Sequence, residues 1–179
     1  MTVGNDRTEL VLTAPDPFGP TLAYRVRCRS TLGVLTELIL DARSHIIIAA
    51  PFMQPGHGLS AGPLTDALRS ALRRRVDVDV LGTASGLDTI DRARLSDGSA
   101  GQLRFFKPAI HIADDRKLGS HAKFCSADAQ KAYVGSANLT APGLTGQLEL
   151  GVLISGTVAR QIEEFWNYCI ELGILVRVH

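Results

Sequence analysis

Little in this chain points to a fold held by cross-links or lodged in a membrane. Only three cysteines occur, Cys28, Cys125 and Cys169, an odd and scattered set. That argues against a disulfide framework and fits a reducing compartment. No stretch reaches the ~18 consecutive apolar residues of a membrane-spanning helix. The opening MTVGNDRTEL lacks the apolar core of a secretory leader. A soluble, cytoplasmic protein with no membrane association is therefore expected. Net charge is also scarce: 19 basic and 18 acidic residues leave +1. No global field draws in a polyanion, so any attraction to one must come from a local patch.

The composition is that of an ordinary globular domain, with 45% hydrophobic and 21% charged residues among 179. That length suits one domain burying roughly 70% of its unfolded surface. Residues 1–30 read as an irregular N-terminal arm, with extended segments at Leu10–Thr13 and Thr21–Arg27 separated by the breaker-rich PDPFGP. Residues 31–179 read as the folded domain. Ser30 or Thr31 can cap a helix whose apolar face is Val34, Leu35, Leu38 and Ile39. Ile46–Ala50 is a continuous apolar strand, as expected when both faces of a sheet are covered. A Gly- and Pro-rich loop, Phe52–Gly62, follows and carries His57. Pro63–Arg75 reads as a helix ending in Arg73, Arg74 and Arg75, cations suited to a helix C-terminus. Val76–Val80 alternates as a strand, Leu87–Leu95 suggests a helix, and Gln102–Phe106 is a third strand. Thr157–Leu172 is a helix with Ile162, Phe165, Trp166, Cys169 and Ile170 on one stripe, stopped by Gly173. Ile174–Val178 closes the chain. This order predicts an α/β fold, a mixed β-sheet flanked by helices on both faces.

The chemistry concentrates between His121 and Glu149. Ala122–Ser126 is read as a strand placing His121 and Lys123 on one face. Asp128 lies in the turn that follows, Ala132–Val134 pairs back, and Gly135-Ser136-Ala137-Asn138 breaks the strand with small hydrogen-bonding residues. Glu149 enters a third strand, Leu148–Ser155. A phosphodiester reaction needs a nucleophile, donors for the developing charge and a proton for the leaving group. A neutral His121 can attack phosphorus if an acceptor such as Glu149 holds its other nitrogen. Lys123 offers a point charge to the non-bridging oxygens. Asn138, Ser136 and backbone N–H groups can add donors. None of this requires a metal or other cofactor. Cys125 could share a face with His121, but no second ligand pair accompanies it.

The pattern His121, Lys123, Asp128, Gly135, Ser136 and Asn138 resembles the phospholipase D signature H-x-K-x4-D-x6-G-S-x-N in register. By chance such a match arises on the order of a few times in a million. The resemblance implies a phospholipase-D-like domain that works through a phosphohistidine, with His121, Lys123, Asn138 and Glu149 catalytic and Ser136 binding substrate. Asp128 and Gly135 are then structural supports of the motif. Family sites are built from two motifs, one histidine attacking while the other protonates the leaving group. His45, His57 and His111 lack the lysine two residues on, and His179 ends the chain. The resemblance therefore implies a homodimer with its active site on the two-fold axis.

Nucleic acid is the favoured substrate, because the chain shows no lipid-targeting module or amphipathic membrane helix. Arg116 and Lys117, just before the motif, are candidate secondary phosphate contacts. The GSANLT and ELGVLI runs also resemble the phospholipase-D-like proteins of DISARM-type anti-phage systems, which implies defence-system proteins as partners. Three other readings stay open: a lipid phosphodiesterase or phosphatidyltransferase, a non-catalytic subunit that binds nucleic acid, and a fragment whose second motif lies elsewhere.

Overall fold

The Ile46–Ile48 run becomes β3 (His45–Ala49), in the middle of a nine-stranded mixed sheet. The computed structural model describes residues 6–110 and 119–178. In chain order the elements are β1 (Arg7–Thr13), α1 (Phe18–Val26), β2 (Arg29–Ser30), α2 (Thr31–Asp41), β3, α3 (Pro63–Arg73) and β4 (Asp77–Leu81). Then come α4 (Ala84–Leu87), α5 (Arg92–Ser96), β5 (Leu103–Pro108), β6 (Phe124–Ala127), β7 (Lys131–Gly135) and a π-helical turn at Pro142–Gly146. The chain closes with β8 (Glu149–Ser155), α6 (Thr157–Glu171) and β9 (Leu175–Val178). Across the sheet the order is β2-β1-β8-β7-β6-β3-β4-β5-β9.

Alternation along β3 explains its unbroken apolar sequence. Ile46 and Ile48 pack with Val34, Leu38, Leu68 and Leu72 under α2 and α3. Ile47 and Ala49 face the other way, onto Trp166 and Cys169 of α6. Helices thus cover both faces, as expected. Parallel pairing joins β3 to β4 and β4 to β5, while β6, β7 and β8 form an antiparallel meander beside β3. No helix among the described residues is long and apolar enough to cross a membrane.

Several elements depart from the sequence expectation for identifiable reasons. Thr21–Val26 is helical, not extended, because α1 starts at Phe18 and places Pro20 in its first turn; Arg27 is its left-handed C-cap. In the first turn the missing proline N–H has no intrahelical partner to lose. The strand β1 of the arm pairs along its whole length with β8. The segment expected as one helix at Leu87–Leu95 is two short ones, since Thr83 and Asp91 each accept a hydrogen bond that starts a new turn. Ser30 caps α2, its Oγ accepting from the Gly33 N–H at 3.2 Å. Arg74 serves the neighbouring helix rather than its own: its guanidinium donates to the carbonyls of Ile39, Leu40 and Ala42 at the C-terminal end of α2. Phe165 is half exposed, so the inward stripe of α6 is narrower than the apolar pattern suggests.

The alternation Val76–Val80 correctly marks a strand but not its environment, for Asp79 is 2% exposed. Its carboxylate accepts from Arg104 Nε and, at 3.1 Å, from Trp166 Nε1. The His45 ring bridges it to α6, with Nε2 3.1 Å from Asp79 and Nδ1 2.8 Å from Glu163. Burial alone pushes this imidazole down, but hydrogen bonds to Asp79 and Glu163, and then their charges, raise it from 6.5 to about 9. Asp79 moves down against its own burial, through the bonds and charges of His45 and Arg104.

A histidine raised on folding stabilises fully below its unfolded value and loses that contribution as pH climbs through its folded one. Urea midpoints of the protein should therefore fall between about pH 6.5 and 9. His45→Gln should lower stability at pH 6 by on the order of 2 kcal/mol and flatten that slope. Equal slopes in both proteins would show that the His45 cluster does not carry it.

Candidate active site

The meander delivers the motif to one end of the sheet. Phe124 pairs with Val134, and Gly135 with Gly151, so β6 begins where β7 ends and β8 starts. His121 and Lys123 precede β6, Ser136 and Asn138 follow β7, and Glu149 opens β8. His121 is exposed whereas Lys123 is 9% exposed. The Lys123 Nζ lies 3.2 Å from His121 Nδ1 and 3.3 Å from Nε2, and donates to the His121 carbonyl at 3.2 Å. Burial lowers the Lys123 ammonium from its ordinary value, and the charge of Glu149 opposes that shift.

Glu149 does not hydrogen-bond His121 within the chain, contrary to the expected holder role. Its two oxygens accept instead from Ser136 Oγ and from Gln147 Nε2. Ser136 is itself locked to β8, its Oγ accepting from the Leu150 N–H at 3.1 Å and its N–H donating to the Leu150 carbonyl at 3.0 Å. Asn138 Oδ1 is buried and lacks a hydrogen-bond partner among the described residues. Gln147 was not found from sequence; its position two residues before Glu149 on an extended segment was the available signal. Phe52 was missed as well. Its half-exposed ring stands edge-on to His121, centroids 6.2 Å apart.

Asp128 sits at the opposite end of β6 and touches none of the groups around His121. Its carboxylate accepts from the N–H groups of Arg43, Ser44 and His45 and from Ser44 Oγ, at 2.7–2.9 Å. Burial pushes this carboxyl up, but those bonds, led by the one from His45, hold it below its usual range. The residue thus staples the β6–β7 turn to the start of β3. Gly135 is required for close approach, not for a positive φ. A Cβ there would stand 2.2 Å from the Tyr133 hydroxyl and 3.0 Å from the Gly151 Cα.

The remaining candidates lie apart or out of view. His57 is exposed on a loop tied to the Asn138 side by Gln54, which accepts from the Ala141 N–H. It lines a small pocket with Leu144 and Thr145 rather than the His121 cluster. Cys125 is packed in the core and its thiol is pushed up to about 12 by burial. No group of metal-ligating side chains occurs among the described residues. His111, Arg116 and Lys117 lie outside the described residues.

Known proteins share the fold. Residues 35–170 match the family model described as "Cardiolipin synthase, PLD-like domain". The DISARM protein DrmC of Bacillus paralicheniformis is 25% identical over 141 residues, 73% of this chain; the chain spans about half of that relative, 52%. Among solved structures, NucT from Helicobacter pylori has a TM-score of 0.66 at 15% identity, covering 93% of this chain and 97% of its own. The phospholipase D family member Nuc from Salmonella typhimurium has a TM-score of 0.64 at 19% identity, covering 98% and 99%. At such identities these likenesses speak for the fold. With the model spanning most of its length and the motif intact, the chain belongs to the phospholipase-D-like family.

Proposed function

We propose that this chain is a phosphodiesterase that cleaves nucleic acid through His121 in a homodimeric site. The observation that carries the reading is the exposed His121 ring with the Lys123 ammonium 3.2–3.3 Å from both its nitrogens. A cation so placed meets the non-bridging oxygens of any phosphate that the ring attacks. One His121 nitrogen forms a bond to phosphorus as the P–O bond to the leaving group breaks. The departing oxygen takes a proton from His121 of a second copy. Water then attacks the phosphohistidine, giving its proton back to that second imidazole and freeing the first. Lys123 and Asn138 stabilise the equatorial charge in both steps, while Ser136 and Gln147 hold Glu149 beside Lys123. Arg116 and Lys117 are assigned to phosphates flanking the scissile one.

The two-copy site is supported by the single motif, which gives each chain one such histidine where the reaction uses two. We assign the activity to residues 31–179 and its setting to the cytoplasm. The similarity to DrmC supports defence-system proteins as partners. A second reading, phosphatidyl transfer, is favoured by the family description as a cardiolipin synthase domain, since the same groups would serve a lipid diester.

Labelled DNA and RNA oligonucleotides and phosphatidylglycerol vesicles distinguish these substrates when each is quenched in alkaline detergent, where a phosphohistidine persists, to trap the phosphoenzyme. Nucleic acid should give the labelled protein, and His121→Ala should lose it, with turnover falling roughly a thousandfold or more while the dimer persists. Full turnover in His121→Ala would remove the mechanism. Label from vesicles alone would move the assignment to lipid.

Lys123→Ala should cut kcat by about 10²–10³ with a smaller change in KM, because its charge acts on the transition state. Turnover of the unaltered protein should continue in EDTA, the chain itself supplying nucleophile and cation. Strict dependence on an added divalent ion would contradict that.

A further inference from the structure

The helix α1 lies against its neighbours without filling the space beneath it. Gly19 and Ala23, four residues apart, share one side of the helix, with Pro20 next to them. The bulky residues Phe18, Leu22, Tyr24 and Val26 are all exposed, and no residue of α1 is buried. Gly19 comes so close to Ala14 that a Cβ there would stand 3.1 Å from the Ala14 carbonyl oxygen. With only small side chains turned inward, a cavity of about 380 Å³ remains between α1, the end of β1, the start of α2 and the π-helical turn. Its size is that of a small-ligand pocket.

Leu12, Leu32 and Leu144 give the cavity apolar walls, and its polar groups are few. Asp16 is exposed, and its carboxylate only accepts hydrogen bonds. Thr145 Oγ1 spends its proton on the Ala141 carbonyl at 3.0 Å and keeps lone pairs to accept with. Ser30 Oγ accepts from the Gly33 N–H and keeps a proton to donate. Two acceptors and one donor set in apolar walls suit a flat heteroaromatic ring with an amino group beside a ring acceptor. A hydrocarbon chain would strip water from these groups and give nothing back.

The cavity adjoins the reaction centre. Thr13, on its lining, lies opposite Glu149 in the β1–β8 ladder. Leu144 and Thr145 belong to the segment that joins Asn138 to Gln147 and Glu149. Three strand spacings separate β1 from β6, which puts Thr13 about 14 Å from the strand that His121 leads into. That is too far for the base at the scissile phosphate and suits one further along the same strand. We infer that the cavity under α1 receives an amino-bearing nucleobase of the substrate, at a fixed offset from the cut. The inference rests on nucleic acid as the substrate and adds a base-reading subsite to it.

Single-stranded thymidine oligonucleotides carrying one guanine, adenine or cytosine at each position in turn test this, with cuts mapped by product length. The full chain should cut at one fixed distance from an amino-bearing base, about tenfold more often than in thymidine alone. Ala23→Trp, which fills the cavity, should flatten that preference and raise KM with kcat nearly unchanged. Asp16→Asn, at an exposed position, should relax it toward thymine, because an amide also donates to thymine's carbonyls. Tyr24→Ala, 86% exposed on the same helix, should change neither. Hydrogen exchange of His121→Ala bound to the preferred strand should show protection gained at α1 and Pro142–Gly146. Cutting that ignores the base, or a preference untouched in both Ala23→Trp and Asp16→Asn, would overturn the subsite and leave the nucleic-acid reading standing. Turnover of phosphatidylglycerol vesicles blocked by Ala23→Trp, with oligonucleotides cut as before, would give the cavity to an acyl chain instead. No cleavage of any oligonucleotide would remove both.

Discussion

Strand register is the constraint on which the site depends. His121 and Glu149 are 28 positions apart, and only the pairing of β6 with β7 and β7 with β8 brings their ends together. A slip of one residue on β6 would turn Lys123 to the opposite face and send Cys125 out of the core. Asp128 guards against that slip from the far end. Four hydrogen bonds fix the β6–β7 turn to the segment entering β3, so β6 has one position against its neighbour. A carboxylate in the motif thus acts on the chemistry through the length of a strand, without touching the reacting groups. Gly135 and Gly151 work on the same ladder, leaving room for the Tyr133 ring where a methyl group would force the strands apart.

The same sheet carries a second polar cluster at its other end, and the two have opposite characters. Around His121 the ring is open and its nearest charge is an ammonium. Around His45 the ring is enclosed and both its nitrogens meet carboxylates. An imidazole between two carboxylates is held charged and fixed, which suits a pin and not a nucleophile. What it pins is α6, since Glu163 and Trp166 both leave that helix to reach the network. Burying these charges is tolerable because each has a partner of opposite sign.

How much of this was legible depended on whether the signal was local. The motif spacing is confined to 18 residues, so one chain segment announced it, and the three strands around it follow from alternation. The helix at Thr31 and the β3 core strand were equally plain. Thr21–Arg27 misled because proline was read as a breaker when it stood in the first turn of α1. The alternation Val76–Val80 marked a strand and said nothing of where Asp79 would lie. Its burial depends on β4 lying between β3 and β5 beneath α6, which no local pattern records. The partners of Glu149 were likewise hidden: Ser136 and Gln147 reach it through the geometry of a loop and a ladder. Arg74 was assigned to the wrong helix end, because which C-terminus a cation meets is decided by packing.

Holding α6 by one edge and leaving its other edge bare are two aspects of a single arrangement. A helix crossing a sheet needs a fixed rotation about its own axis before an outward stripe can present a defined surface. The apolar contacts of Trp166 and Cys169 set its depth, but apolar burial is non-directional and constrains rotation weakly. The hydrogen bonds that Glu163 accepts from His45 and that Trp166 donates to Asp79 are directional, and they fix that rotation. Once it is fixed, Val158, Phe165 and Leu172 lie on the edge of the helix turned away from Glu163 and stay exposed. The His45 cluster thereby determines which edge of α6 meets water. That gives a physical reason for keeping four charged groups, His45, Asp79, Arg104 and Glu163, beside an indole under an otherwise apolar helix face.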